Sequence, residues 1–284
     1  MANLQDIRRR IRSVKSIQQI TNAMDMVATS RLRRAKEAAN NNRPYAEKTA
    51  EVIRSVAAAA TDVTHPLLEQ HEEGKRLILV MAADKGLAGA YSSNALKMAM
   101  TLVEDKANTE IIAVGRKARD FFKNRAFHII SERVGISERP QAVHAQKLAA
   151  AVIEAFEAGG IKEVYMVYTR FVSAITCVPE IIKLLPFEAP EEGDGHHIQT
   201  QYIYEPNAEE VLGALLPQYL FTTIYAALLQ SAASELSSRM NAMSNATDNA
   251  GELIGKLDLY YNKVRQAGIT NEINEIVGGA EALK

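Results

Sequence analysis

Six positions seven residues apart, Leu229, Leu236, Met243, Ala250, Leu257 and Val264, are interleaved with Ala233, Met240, Thr247, Ile254 and Tyr261. A sustained seven-residue repeat underwinds an α-helix to about 3.5 residues per turn, so that it supercoils left-handed around a partner. A mate is available at the other end of the chain. There, Leu4, Ile7, Ile11, Val14, Ile17, Ile20, Met24 and Val27 form an apolar stripe spaced by threes and fours. The two terminal helices are therefore expected to pair as a rod. No proline interrupts Phe221 to Lys284, and a continuous helix there runs on the order of 90 Å at about 1.5 Å per residue. From Leu4 the N-terminal spacings are 3, 4, 3, 3, 3, 4 and 3. One spacing of four is missing, which predicts a stammer that overwinds the coil locally and makes its surface asymmetric.

Between the rod segments the texture changes. The first glycine is Gly74, so helix is expected nearly unbroken to Arg43-Pro44, where the proline kinks or restarts it, and then from Tyr45 to Ala60. Arg76 to Ala82 reads as a buried strand, and Asp84 to Asn94 as a loop opening a helix to about Glu104. Strand 110–114, helix 116–123, strand 126–130 and helix 141–158 follow, then strands 163–170 and 174–185. Strands alternating with helices predict a mostly parallel, Rossmann-like α/β domain inserted into the rod. The expected segments are 1–60, N-terminal helix; 61–206, α/β domain with a short strand and turn at 201–206; and 207–284, C-terminal helix.

Composition narrows the function. Aromatic residues make up 6% of the chain and Trp is absent, as suits helices packed over a narrow seam. Cys177 is the one cysteine; it has no internal disulfide partner, and its apolar neighbours Ala174, Ile175 and Val178 suggest a small buried hydrophobe rather than a nucleophile. No run of 18 apolar residues and no signal-type apolar core occur, so neither a membrane span nor export is expected. Charge is uneven: residues 1–54 hold 12 Lys/Arg against 5 Asp/Glu, and residues 55–230 hold 16 against 22.

Candidate chemical sites are weak. Gly86-Leu-Ala-Gly89 follows a strand and precedes a helix, where backbone N–H groups can hold a phosphate, but it fits neither the dinucleotide nor the P-loop glycine spacing and reads as a structural turn. His196-His197 lacks companions at metal-ligand spacing and reads as a solvated loop. The basic cluster Arg8, Arg9, Arg10, Arg12, Lys15, Arg31, Arg33, Arg34 and Lys36 has no interleaved aromatics for base stacking, so a protein contact is expected rather than nucleic acid. No catalytic, cofactor or metal site is expected.

Particular motifs carry a resemblance. The chain contains Ile7-Arg8-x-Arg10-Ile11-x-Ser13-Val14, Ile20-Thr21-x-Ala23-Met24-x-Met26-Val27-Ala28 and Asp84-Lys85-Gly86-Leu87-x-Gly89. Near its end it contains Ser234-Glu235, Arg239-Met240-x-Ala242-Met243-x-x-Ala246-Thr247-Asp248-Asn249-Ala250, and Tyr261-Asn262-Lys263-x-Arg265-Gln266 through Ile269-Thr270-x-Glu272, Glu275-Ile276 and Gly278-Gly279-Ala280. Over its whole length it resembles the γ subunit of F-type ATP synthases. The resemblance implies an antiparallel left-handed coiled coil of the terminal helices and a non-catalytic central rotor shaft, one copy per complex. The shaft stands in a hexamer of α and β subunits, with ε and the c ring below. Ion-driven rotation of the c ring would bias the three β sites toward different affinities. It also implies that Met24 faces the β lever region, that Arg239, Arg265, Gln266, Thr270 and Glu272 face the β loops around the shaft, and that Tyr204 and Glu205 form a foot near ε and the c ring. The implied location is peripheral, on the cytoplasmic face of a bacterial cell membrane. Ala88 stands where the family commonly has Cys, and Ala90 replaces the second Gly of a pair. A coiled-coil adaptor that homodimerises through the heptads, and a Rossmann-like nucleotide-binding enzyme, are the alternatives.

Overall fold

A computed structural model describes residues 4–59, 65–187, 205 and 207–281. Its elements are α1 (Leu4–Ala59), a 3-10 turn (Pro66–Leu68), β1 (Lys75–Met81), α2 (Tyr91–Thr101), β2 (Thr109–Val114), α3 (Arg116–Asn124), β3 (His128–Arg133), α4 (Ala142–Glu157), β4 (Ile161–Phe171), β5 (Cys177–Leu185) and α5 (Ala208–Glu281). The chain divides into two compact units, residues 1–28 with 240–284, and 29–239. Both long helices run through the division, so the compact units cut across the segments expected at 1–60, 61–206 and 207–284.

In the first unit α1 and α5 pair antiparallel. Arg8 bonds to Tyr261, Gln18 lies against Gly251, and Thr21 bonds to Thr247 at 2.7 Å, so positions rise on one helix as they fall on the other. On α5 the expected heptad positions Met243, Thr247, Ala250, Ile254, Leu257, Tyr261 and Val264 are all covered, with Ala246, Gly251 and Gly268 beside them. On α1 the expectation fails in part. The covered positions are Leu4, Ile7, Ile11, Val14, Gln18, Thr21, Met24, Asp25 and Ala28. Ile17, Ile20 and Val27 are half or more exposed. Polar Gln18, Thr21 and Asp25 are covered in this stretch, where the apolar stripe continued through Ile17, Ile20 and Val27.

In the second unit five strands form one sheet in the order β3-β2-β1-β4-β5, parallel except for the β4–β5 hairpin. β1 is central and apolar on both faces, as a parallel strand covered twice must be. Leu77, Leu79 and Met81 join a core with α4, with Leu212, Leu216, Leu220 and Ile224 of α5, and with Ile53 and Val56 of α1. Ile78, Val80 and Ala82 point the other way, toward Leu96 and Ala99 of α2 and Ala118 and Phe122 of α3. Period-two alternation thus feeds two cores from one strand.

Several expected boundaries move for local reasons. Pro44 lies inside α1, which neither stops nor restarts there; the proline is exposed, so the carbonyl it leaves free faces water. β3 begins at His128 rather than Ala126, because Ala126 turns with φ 52 and Phe127 N–H bonds back to Phe122. β5 begins at Cys177 because Val172 and Ser173 donate to Thr176 in a tight turn. Cys177 is half-buried, its thiol 3.8 Å from the Ser234 carbonyl. α5 contains a stretch of mean hydropathy 1.5, long and apolar enough by composition to cross a membrane. Leu212 to Leu228 of this helix lie in the sheet core. His196-His197 and the short strand expected at 201–206 lie outside the described residues, except for exposed Glu205.

Candidate functional site

The C-terminal edge of the parallel strands is where α/β sheets bind ligands, and the Asp84 loop leaves β1 there. The loop is already occupied by its own side chain. The Asp84 carboxylate accepts N–H bonds from Gly135 at 2.7 Å, Ser137 at 3.0 Å and Arg116, the first residue of α3, at 3.1 Å; Asp84 N–H donates to Ser137 Oγ at 3.0 Å. Burial opposes ionisation of Asp84, but these donors outweigh it and hold the carboxyl below its ordinary range. Three backbone N–H groups at this edge, those of Gly135, Ser137 and Arg116, are thus taken by an internal anion. Gly115, just before α3, has φ +88, and a Cβ there would stand 2.0 Å from the Ala82 carbonyl oxygen. That closeness lets α3 start against the end of β1. Asp84 of the Asp84-Lys-Gly-Leu motif thus anchors the 135–137 loop and the start of α3 to the end of β1.

Beside this anchor lies an ionic cluster that joins four segments. Glu138, in the β3–α4 loop, accepts from Arg239 Nη1 of α5 at 3.2 Å, from Lys85 Nζ at 3.2 Å, and from Arg31 of α1. Arg239 Nη2 donates to Glu235 Oε1 at 2.7 Å and reaches the Gly86 carbonyl at 3.4 Å. Arg239 is 6% exposed and Glu235 fully buried. Burial raises the Glu235 carboxyl above its ordinary value, with Arg239 pulling the other way, and Glu235 Oε2 is a buried atom without a hydrogen bond. Tyr91, buried next to this carboxylate, is likewise pushed up by burial.

A second set of contacts fixes α5 to the sheet. Thr169 N–H donates to Ser231 Oγ at 3.3 Å, Ser234 Oγ donates to Thr169 O at 3.0 Å, and Ser237 Oγ donates to Ala174 O at 2.6 Å. Serines three apart lie on one helix face, so one row of small side chains lets the helix approach the β4–β5 hairpin closely.

The residues expected to meet partners fall into two groups. Met24 is half-buried, whereas Arg265, Gln266, Thr270 and Glu272 are exposed on α5, with Thr270 Oγ1 donating to the Gln266 carbonyl at 3.0 Å. Beyond Gly268, α5 is exposed all round as far as Ala280, with Ile269, Ile273 and Ile276 on the surface. Arg239, expected beside them, is 6% exposed and paired with Glu138 and Glu235. Tyr204 lies outside the described residues. Glu138 escaped sequence reasoning altogether, because its partners are 53, 101 and 107 residues away.

Among the described residues no group of three or more His, Cys, Asp or Glu is placed to hold a metal. A groove of about 470 Å³ between α4 and α5 is lined by Ala149, Ala150, Ile153, Ala214, Pro217 and Phe221 among others, and has no ionisable group in its lining. It offers shape and apolar contact but no general acid or base. The homodimeric adaptor reading loses its basis, since the heptad face of α5 is covered by α1 of the same chain.

Fold and geometry together define a protein whose terminal helices pair as an antiparallel left-handed coiled coil, with a Rossmann-like, mostly parallel α/β domain inserted between them. The model of the ATP synthase family matches residues 3–283. The chain belongs to the ATP synthase gamma chain family. It is 48% identical to the ATP synthase gamma chain of Desulforamulus reducens over the full length of both, and 42% identical to the sodium ion specific gamma chain of Acetobacterium woodii over 99% of each. Among solved structures it is similar to a chain of the central stalk and c ring of Tetrahymena thermophila mitochondrial ATP synthase, with TM-score 0.60 and 26% identity over 80% of this chain and 99% of that one. A rotor chain of the Euglena gracilis mitochondrial enzyme shares the fold, with TM-score 0.66 and 18% identity over 94% and 98%.

Proposed function

We propose that this chain is the central rotor shaft of a bacterial F-type ATP synthase, coupling ion-driven rotation of the c ring to ATP synthesis or hydrolysis at the β subunits. The observation that carries the reading is the antiparallel heptad pair, joined in one chain to a mostly parallel α/β domain. A chain so built transmits position and supplies no chemistry of its own; catalysis belongs to β. Met24, Arg265, Gln266, Thr270 and Glu272 are the proposed contacts with the α/β hexamer, and Tyr204 and Glu205 the proposed foot toward ε and the c ring. Arg239 acts from inside the α/β domain rather than at that surface. The shaft is present once per complex, on the cytoplasmic face of the membrane and attached through its partners. A rod with exposed Ile17, Ile20 and Val27 on one side and basic residues on others presents different faces to three β subunits, and differential contact is what shifts their affinities.

The test is to tag this chain, purify it from native membranes, and assay the eluate for α, β and ATPase activity. Recovery of an active α/β hexamer is expected. Arg265→Ala combined with Gln266→Ala is expected to lower ATP-driven rotation while the chain still folds. A homogeneous preparation without α and β would overturn the reading.

A further inference from the structure

Glu138 is the meeting point of the sheet and both long helices. Only 14% of its side chain is exposed, and 7% of that of Arg239, so their pairing is weakly screened. The loop that carries Glu138 is itself fixed, because Asp84 at the end of β1 holds the N–H groups of Gly135 and Ser137. A continuous path of charge-assisted bonds therefore runs from β1 through Asp84 and the 135–138 loop to Glu138, and from there to Arg31 of α1 and Arg239 of α5. The apolar contacts of Ile53, Val56, Leu216 and Ile224 with the sheet resist separation, but burial is non-directional and fixes sliding and rotation poorly. Charge-assisted bonds are short and directional. The serines of α5 add directional ties on that helix alone; Glu138 holds both helices through one group.

Resting on the rotor-shaft reading, we infer that Glu138 is a torque-bearing positioning residue, which locks α1 and α5 to the sheet so that rotation applied to the α/β domain turns both helices without slip. Glu138 touches no nucleotide and no reacting atom. Its role is mechanical, and it follows from one carboxylate being shared by two helices and a loop that the sheet itself anchors.

The experiment uses the whole complex in inverted membrane vesicles, with ATP hydrolysis and ATP-driven membrane potential read side by side; a potential-sensitive dye responds whichever cation is pumped. With Glu138→Gln the complex is expected to retain α and β and to hydrolyse ATP, while the potential generated per ATP hydrolysed falls at least about threefold, the scale on which residues within a network alter coupling. Glu138→Asp, which keeps the charge, should restore most of the ratio. A role in fold stability alone would lower hydrolysis and potential together as complexes are lost. Arg31→Gln removes one helix from the hub at a side chain that is 37% exposed, and should lower the ratio less. A wild-type ratio in Glu138→Gln complexes of full α and β content overturns the proposal. If Glu138→Gln does not assemble, Arg31→Gln decides: a lowered ratio supports the hub and an unchanged one overturns it. Failure of the wild-type chain to co-purify with α and β instead overturns the shaft reading, and this inference with it.

Discussion

Helix α5 has two stretches built on different rules. From Ser231 to Ser237 seven consecutive residues are buried, so the helix is enclosed on nearly all sides, against the sheet and the β4–β5 hairpin among others. From Met243 onward most residues are exposed, and the heptad positions, with Ala246, Gly251 and Gly268, are mostly only partly covered. The lower stretch is a core element, intolerant of any change in volume. The upper stretch is a seam, where most positions face outward and are free to meet other molecules. One helix thus has an enclosed stretch and an open one, and the boundary falls next to Arg239.

The comparison breaks first on core truncation. Ile224→Ala, at a fully buried position, is expected to cost about 3 kcal/mol in urea unfolding of the purified chain. Leu257→Ala in the seam should cost well under half as much; equal losses would show that the two stretches are not different in kind. Asp84→Asn comes next, at about 2 kcal/mol, because an amide presents an N–H to backbone donors that need an acceptor. The sign of its pH dependence follows from the lowered pKa. The stabilisation is complete above the ordinary carboxylate value of about 3.9 and is lost as pH falls through the lower folded value. Unfolding midpoints of wild type and Asp84→Asn should therefore converge in acid and separate toward neutrality.

In the seam the effects shrink. Thr21 Oγ1 contacts the Gln18 carbonyl as well as Thr247, so Thr247→Val leaves it satisfied and should change stability by less than about 1 kcal/mol, measured by thermal unfolding followed by helical ellipticity. Smallest of all, Ile276→Ser, at a side chain 71% exposed, should leave the melting curve of the isolated chain unchanged. If the shaft reading holds, the same variant should lower ATPase activity in the assembled complex. An equal effect in both settings would mean that the end of α5 is covered by its own chain.

Much of this was legible in the residues. The α5 heptad named its covered face correctly, since Met243 to Val264 are apolar or small where they meet α1. The alternating texture of residues 75–185 announced a mostly parallel sheet. On α1 the expected stripe departs from the covered face at Ile17, Ile20 and Val27 but not at Met24, because apolar periodicity alone does not fix which face a partner helix covers. There Gln18, Thr21 and Asp25 face the partner helix, and isoleucines face out. The ionic hub was invisible for another reason. Local periodicity says nothing about charges that pair across a hundred residues, as Arg239 and Glu138 do.

The polar seam also bears on how the molecule is made. Arg8 meets Tyr261 across 253 residues of chain, and at 5–20 residues per second the ribosome needs on the order of tens of seconds to deliver the second after the first. Throughout that interval the seam face of α1 has no mate. An uninterrupted row of isoleucines would be a standing invitation to chaperones and to neighbouring nascent chains; Gln18, Thr21 and Asp25 make the waiting face wettable, and the Thr21–Thr247 bond then selects one alignment when the late helix arrives.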